Sequence, residues 1–202
     1  AVTGNSMGWY IALAAAGALK PKAAIKLINT MGSMMTDGVI GGQMIYPIID
    51  ELWQESAEML EQVQSALNKV NEDDDHEVHI SIHLGGYLVF GGNKAGLKAL
   101  EQTLPLVQDR YPMNLFNHAA FHTPLLQSVS EKAKTLLNED LFTKPQIPLI
   151  DGEGHIWQPY SCDTEKLRDY TLDAQVVKPY NFSKAVEVAV KEFSPDKLVI
   201  LG

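Results

Sequence analysis

The spacing of apolar positions changes several times along the chain, and each change marks an element. Residues 7 to 19 are apolar on nearly every side, which predicts a helix buried over most of its surface, with Gly17 tolerated because the helix is close to its end. Lys20-Pro21 follows, a setting where proline suits a first helical turn. Residues 22 to 36 then carry Ala24, Ile25, Leu27, Ile28, Met31 and Met35 at helical spacing. Gly38 to Gly42 is a boundary. Beyond it, residues 43–48 read as a strand and residues 50–70 as a long helix with Leu52, Met59, Leu60, Val63 and Leu67 facing inward. The acidic run at 72–75 is a solvated turn. Val78, Ile80, Ile82 and Leu84 alternate with Glu77, His79, Ser81 and His83, a period of two that predicts a strand with one apolar face. Gly85-Gly86 turns the chain, residues 87–90 return it, and residues 93–104 form a helix.

Strand, helix, strand, strand, helix over residues 41–105 is close to a split βαβ, ferredoxin-like unit. From Tyr111 the pattern becomes a short strand, a loop ending in AAFHTPL, and a helix over 125–137. Residues 147–151 and 198–201 read as short strands of the buried, parallel type, with a helix over 183–193 between them. The predicted fold is α/β: a parallel-sheet, hydrolase-like lobe from residues 1–40 and 106–202, interrupted by a ferredoxin-like α+β subdomain at 41–105. Both ends of the chain read as core strands, as if cut from something longer.

Composition narrows the function. The chain has 202 residues, a formal net charge of −9 and two arginines, Arg110 and Arg168, so no dense basic surface is available for a phosphate backbone. Nucleic acid is not an expected partner. The longest apolar stretch is too short to cross a bilayer and lacks the charged flank of a signal peptide, so no membrane association and a cytoplasmic location are expected. Cys162 is the only cysteine, which excludes an internal disulfide.

Candidate chemistry starts at residues 4–8, GNSMG, a G-x-S-x-G pattern between a strand end and a helix start. That context is what a nucleophile elbow requires, and N–H groups at the helix start can bind an oxyanion. A glycine turn without chemistry remains the alternative reading of Ser6. A serine hydroxyl is a poor nucleophile without a base, which directs attention to the six histidines. His122 has the best setting, between Phe121 and Thr123-Pro124 before a helix; a core histidine held by backbone groups is the alternative. His79 and His83 share a strand face but lie about 13 Å apart at strand rise, too far for one ion, so no metal site is expected.

GNSMGWYIALAAAGAL, a following helix, an inserted ferredoxin-like lobe, AFHTPL, DAQVVKPYNFSKAVE and LVILG occur in this order. Together they resemble the malonyl-CoA:acyl-carrier-protein transacylases and the acyltransferase domains of polyketide synthases, enzymes of fatty acid and polyketide biosynthesis. The resemblance implies a ping-pong transfer in which Ser6 takes an acyl group from acyl-CoA and passes it to the phosphopantetheine thiol of an acyl carrier protein, with no tightly bound cofactor. It implies His122 as base and then acid, the backbone carbonyl of Gln175 as its orienting acceptor, and the N–H of Met7 as one oxyanion donor. The family's second donor comes from a glycine- and glutamine-rich loop that precedes the serine and is not among these residues. The 202 residues alone are therefore expected to work roughly 100- to 1,000-fold below full rate.

Against the family pattern, Met31 stands where malonyl-specific members carry an arginine, Asn5 stands where a histidine often precedes the serine, and Trp9 replaces an acid. The segment containing His83 replaces an Asn-rich stretch. With Phe121, the residues Asn5, Met31 and His83 are the expected substrate contacts. A thioether cannot replace a bidentate ion pair, so an acetyl or longer uncharged acyl group stands beside malonyl as a candidate. The same Ser-His pair would also serve a thioester or ester hydrolase, and a non-catalytic docking lobe is a third possibility.

Overall fold

The computed structural model describes residues 1–34 and 38–201. In chain order the helices are α1 (Met7–Ala15), α2 (Pro21–Ser33), α3 (Ala57–Val70), α4 (Lys94–Thr103), α5 (Gln127–Leu136), α6 (Thr164–Asp169), α7 (Gln175–Val177) and α8 (Phe182–Phe193). The strands are β1 (Gly42–Pro47), β2 (Val78–Leu84), β3 (Tyr87–Gly92), β4 (Met113–Leu115), β5 (Leu149–Ile150), β6 (Ile156–Trp157) and β7 (Tyr180–Asn181). A π-helical turn, Tyr170–Ala174, joins α6 to α7.

The α/β class expected from the sequence is found. Its centre is a five-stranded sheet in the order β4-β1-β3-β2-β7, antiparallel except where β7 joins β2 in parallel. The outer strands β4 and β7 come from the chain beyond residue 105, so the sheet draws on both predicted segments. Both of its faces are buried. Met44, Tyr46, Val78, Leu88 and Phe90 pack with Val63, Leu67 and Leu100 of α3 and α4. Ile82 and Val89 point the other way, into a core built around Trp9, Leu13, Leu27, Leu126, Leu149 and Tyr180. Two-sided burial explains why β3 is apolar almost without interruption.

The strict alternation read over 78–84 is broken. Ile80 pairs with Phe90 and Ile82 with Val89, so Ser81 is an extra residue, a β-bulge. The bulge inverts the faces: Val78 and Ile80 pack toward α3 and α4, whereas Ile82 and Leu84 join the opposite core. A period-two count cannot register one inserted residue.

Several boundaries also differ from the pattern. The first helix stops at Ala15, because Gly17 at φ 74° turns the chain and Ala18 N–H bonds back to the Leu13 carbonyl. Ile25 of α2 is exposed and not inward, and Met35 lies outside the described residues. Helix α3 starts at Ala57, capped by Ser56 Oγ. Residues before it form a turn in which Asp50 Oδ1 accepts from Leu52 and Gln54 N–H, leaving Leu52 77% exposed. Residues 198–201 are exposed and form no strand. The β5 segment pairs antiparallel with β6, and its parallel contact is one bridge, Val2 to Leu149.

Candidate active site

The N-terminal segment reaches the site through β5. Val2 N–H bonds to Pro148 O and Ile150 N–H to Val2 O, each at 2.9 Å, and Thr3 Oγ1 donates to Ile150 O. The chain then folds back sharply. A Cβ on Gly4 would lie 2.2 Å from the Gly8 carbonyl oxygen, so only glycine fits there; the same test at Gly8 meets nothing within 4 Å. Between them Ser6 sits at φ 54°, ψ −116°, a conformation that L residues rarely hold without support. The support is at hand. Gly8 and Trp9 N–H bond to the Asn5 and Ser6 carbonyls as α1 begins, and Tyr180 Oη donates to the Gly4 carbonyl at 2.6 Å.

His122 approaches from the far side of the chain. Its Nε2 lies 2.7 Å from Ser6 Oγ, and its Nδ1 lies 2.5 Å from the Gln175 carbonyl oxygen. A carbonyl only accepts, so Nδ1 carries the proton and Nε2 is left to accept from the serine hydroxyl. The imidazole is 1% exposed and packs on the Tyr180 ring at 5.4 Å and the Phe121 ring at 6.2 Å. Burial lowers its pKa from the ordinary 6.5 to about 4, opposed in part by the bond to Gln175.

Gln175 is free to orient the histidine for a local reason. In a continuing helix its carbonyl would bond to the N–H four residues on, but that residue is Pro179, which has none. The π-helical turn just before it belongs to the same irregular stretch, a common feature of functional helices. The Gln175 side chain ties the two halves of the site together: Nε2 donates to the Ser6 carbonyl at 3.1 Å, and Oε1 accepts from Tyr10 Oη at 3.0 Å. Trp9 strengthens the link, its Nε1 donating to Thr171 Oγ1 and its ring meeting Tyr170 edge-on. Tyr10, Tyr180 and Pro179 were not singled out from sequence. KP after DAQVV is the one local signal that a carbonyl there goes unclaimed.

The remaining sequence candidates are placed as follows. Met7 opens α1 and is 60% exposed, with its N–H in a first turn that has no preceding turn to supply an acceptor. Asn5 precedes Ser6, and its Oδ1 is buried without a hydrogen-bond partner among the described residues. Met31 is buried in the core shared by α1 and α2. Phe121 is half-buried beside the imidazole. His83 lies on β2 opposite Leu88 and Asn181, with its pKa lowered by burial, an effect that Glu55 opposes. Among the described residues no three acidic, histidine or cysteine side chains are grouped to hold a metal, and no helix is long and apolar enough to cross a membrane.

No protein-family model matches the chain. Among curated proteins it is similar to a malonyl CoA-acyl carrier protein transacylase of Bacillus subtilis (strain 168), 24% identical over 189 residues, covering 94% of this chain and 56% of the relative. It is also similar to the polyketide biosynthesis malonyl CoA-acyl carrier protein transacylase PksC of the same strain, 28% identical over 195 residues, covering 95% and 61%. The chain thus spans somewhat more than half the length of these curated relatives. Among solved structures, a malonyl-transacylase in complex with a type II polyketide synthase acyl carrier protein superposes with a TM-score of 0.75, at 23% identity, over 95% of this chain and 58% of that one. The resemblance read from the ordered motifs therefore holds: in sequence the chain is similar to malonyl-CoA:acyl-carrier-protein transacylases along nearly all its length, and it has their fold.

Proposed function

We propose that this chain carries the acyl-transfer centre of an enzyme that moves a short acyl group, malonyl or a relative of it, from coenzyme A to the phosphopantetheine thiol of an acyl carrier protein. The observation that carries this reading is the relay Ser6 Oγ, His122 Nε2, His122 Nδ1, Gln175 O, at 2.7 and 2.5 Å. Ser6 Oγ attacks the thioester carbonyl while its proton passes to Nε2. The developing oxyanion is met by the Met7 N–H, at the positive end of α1. The C–S bond then breaks, sulfur takes the proton from Nε2, CoA leaves as the thiol, and an ester remains on Ser6. In the second half the carrier thiol gives its proton to Nε2 and attacks that ester, and the proton returns to Oγ as the thioester forms. Gln175 O faces the imidazolium at each stage and holds its Nδ1 proton.

In this reading residues 1–40 and 106–202 supply the acyl-transfer lobe, and residues 41–105 supply a ferredoxin-like lobe that backs the His122 loop. Asn5 and Phe121 border the acyl group. An uncharged acyl group stands beside malonyl as a candidate, because Met31 is apolar and neither Arg110 nor Arg168 is bonded near Ser6. Arg168 bonds to the Leu137 and Lys134 carbonyls and to Asp169, and Arg110 lies over the Tyr111 ring.

The test is a transfer assay with the full-length protein, a panel of acyl-CoAs and a phosphopantetheinylated carrier protein, read by intact mass. Acyl carrier protein accumulating faster than free acid supports transfer. Free acid alone, with no acylated carrier, points instead to a hydrolase using the same pair.

A further inference from the structure

The peptide group between Phe121 and His122 is pinned from two opposite sides, and one of the two anchors lies in the sheet. His122 has φ 60°, so its backbone does not rest in an ordinary basin and must be held. On one side the His122 N–H donates to the Val176 carbonyl at 2.8 Å. On the other, the Phe121 carbonyl accepts from Ser81 Oγ at 2.8 Å and, more weakly, from Gln43 Nε2 at 3.4 Å.

Each hydrogen in the sheet-side network has one direction. His118 Nδ1 donates to Gln43 Oε1 at 3.0 Å, Gln43 Nε2 donates to Ser81 Oγ at 2.8 Å, and Ser81 hands its own proton to Phe121 O. Ser81 is fully buried and Gln43 is 5% exposed, so neither group is satisfied by water. Polar side chains buried in a sheet otherwise packed with apolar residues cost stability unless they are fully bonded, and here they are.

The sheet is shaped for this contact. Ser81 is the bulged residue of β2, and a bulge re-aims the side chain it carries. Diagonally across the pair, Gly91 of β3, the partner of His79, leaves room for the loop: a Cβ there would stand 2.6 Å from Thr123 Cγ2, 3.4 Å from Ser81 Cβ and 3.5 Å from Ala120 Cα. Gln43 is the β1 partner of that same glycine. Three neighbouring strands thus contribute a gap, a bulge and an amide to one carbonyl, which is 40 residues from its main donor.

We infer that Ser81 and Gln43 are positioning residues for the acyl-transfer reaction, fixing the Phe121–His122 peptide so that the imidazole meets Ser6 at hydrogen-bonding distance. The inference rests on the reading of Ser6 and His122 as the reacting pair. Displacing a general base by a fraction of an ångström is costly to rate and nearly neutral to substrate binding. The full-length protein is compared with Ser81→Ala, Ser81→Thr and Gln43→Leu in single-turnover acylation by acyl-CoA. The same four proteins are compared by 15N NMR of the His122 ring.

The expected result is an acylation rate about tenfold lower in Ser81→Ala with little change in the acyl-CoA concentration needed for half-saturation. His122 ring signals shift or broaden in that variant, and both rate and signals return in Ser81→Thr, which keeps the hydroxyl. Wild-type rate and wild-type His122 signals in Ser81→Ala overturn the inference. Should Ser81→Ala fail to fold, Gln43→Leu is read in the same way. If even the wild-type protein forms no acyl adduct, the acyl-transfer reading fails, while the NMR comparison still decides whether the sheet positions the ring.

Discussion

Two segments of the molecule each hold one side chain of the proposed reacting pair on a residue with positive φ, residues 4–8 at Ser6 and residues 119–123 at His122, and they hold it by different means. The serine turn is local. Gly4 clears the path for the Gly8 carbonyl, α1 starts immediately after, and Gly8 and Trp9 N–H close onto Asn5 and Ser6. The histidine loop is held by groups remote in sequence: Val176 and Gln175 from one direction, Ser81 and Gln43 from another. The difference teaches that a strained residue can be supported by its own neighbours or by the assembled fold, and that only the first kind is visible in a short motif.

The largest effect should come from removing either side chain of the proposed pair. Ser6→Ala and His122→Ala are each expected to lower acylation by about 10⁴-fold or more, measured by rapid quench. If the alanine of one residue is silent while the other is lethal, the two segments do not form one unit.

The next effect is on pH. His122 is neutral wherever the pH exceeds its lowered value of about 4, so the acid limb of acylation should fall near pH 4 and not near the ordinary 6.5. The same shift has a consequence for stability. Because the folded-state pKa is depressed, the unfolded chain binds the proton first as pH falls. The contribution is complete above about 6.5 and is lost between 6.5 and 4, a trend that denaturation midpoints across that window would register.

Glycine substitutions sharpen the contrast within the serine turn itself. Gly4→Ala should destabilise by about 1–3 kcal/mol, since the added carbon collides with backbone. Gly8→Ala meets open space and should be neutral or stabilising by up to about 1 kcal/mol. Chemical denaturation of the pair measures both. Tyr10→Phe, which removes the hydroxyl bonded to Gln175 Oε1, should cost about 1 kcal/mol, seen in the same denaturation curves.

The same contrast explains what could be read from the sequence. The Ser6 elbow, the α2, α4 and α8 helices and the β1 to β3 strands follow from periodicity and punctuation within a few residues of each element. His122 could be nominated from its setting and from the resemblance, but the alternative of a backbone-bonded core histidine could not be dismissed from residues alone. In the structure it is both backbone-bonded and adjacent to the serine. The bulge at Ser81 and the Gln43 amide were illegible, because a polar residue on an alternating strand looks like a solvent face. Only the assembled sheet shows that Ser81 is fully buried. Leu52 and residues 198–201 mislead in the opposite direction: their apolar character suggested a core, and they lie exposed.

The account stands on Ser6 being the residue that carries the acyl group, with His122 taking its proton. Acid-quenching the full-length protein seconds after mixing with acyl-CoA, followed by proteolysis and peptide mass mapping, addresses this directly. The account predicts a single acyl ester on the peptide that contains Ser6, absent from His122→Ala at the same time point. An ester on any other residue, or equal labelling in the histidine variant, would contradict it.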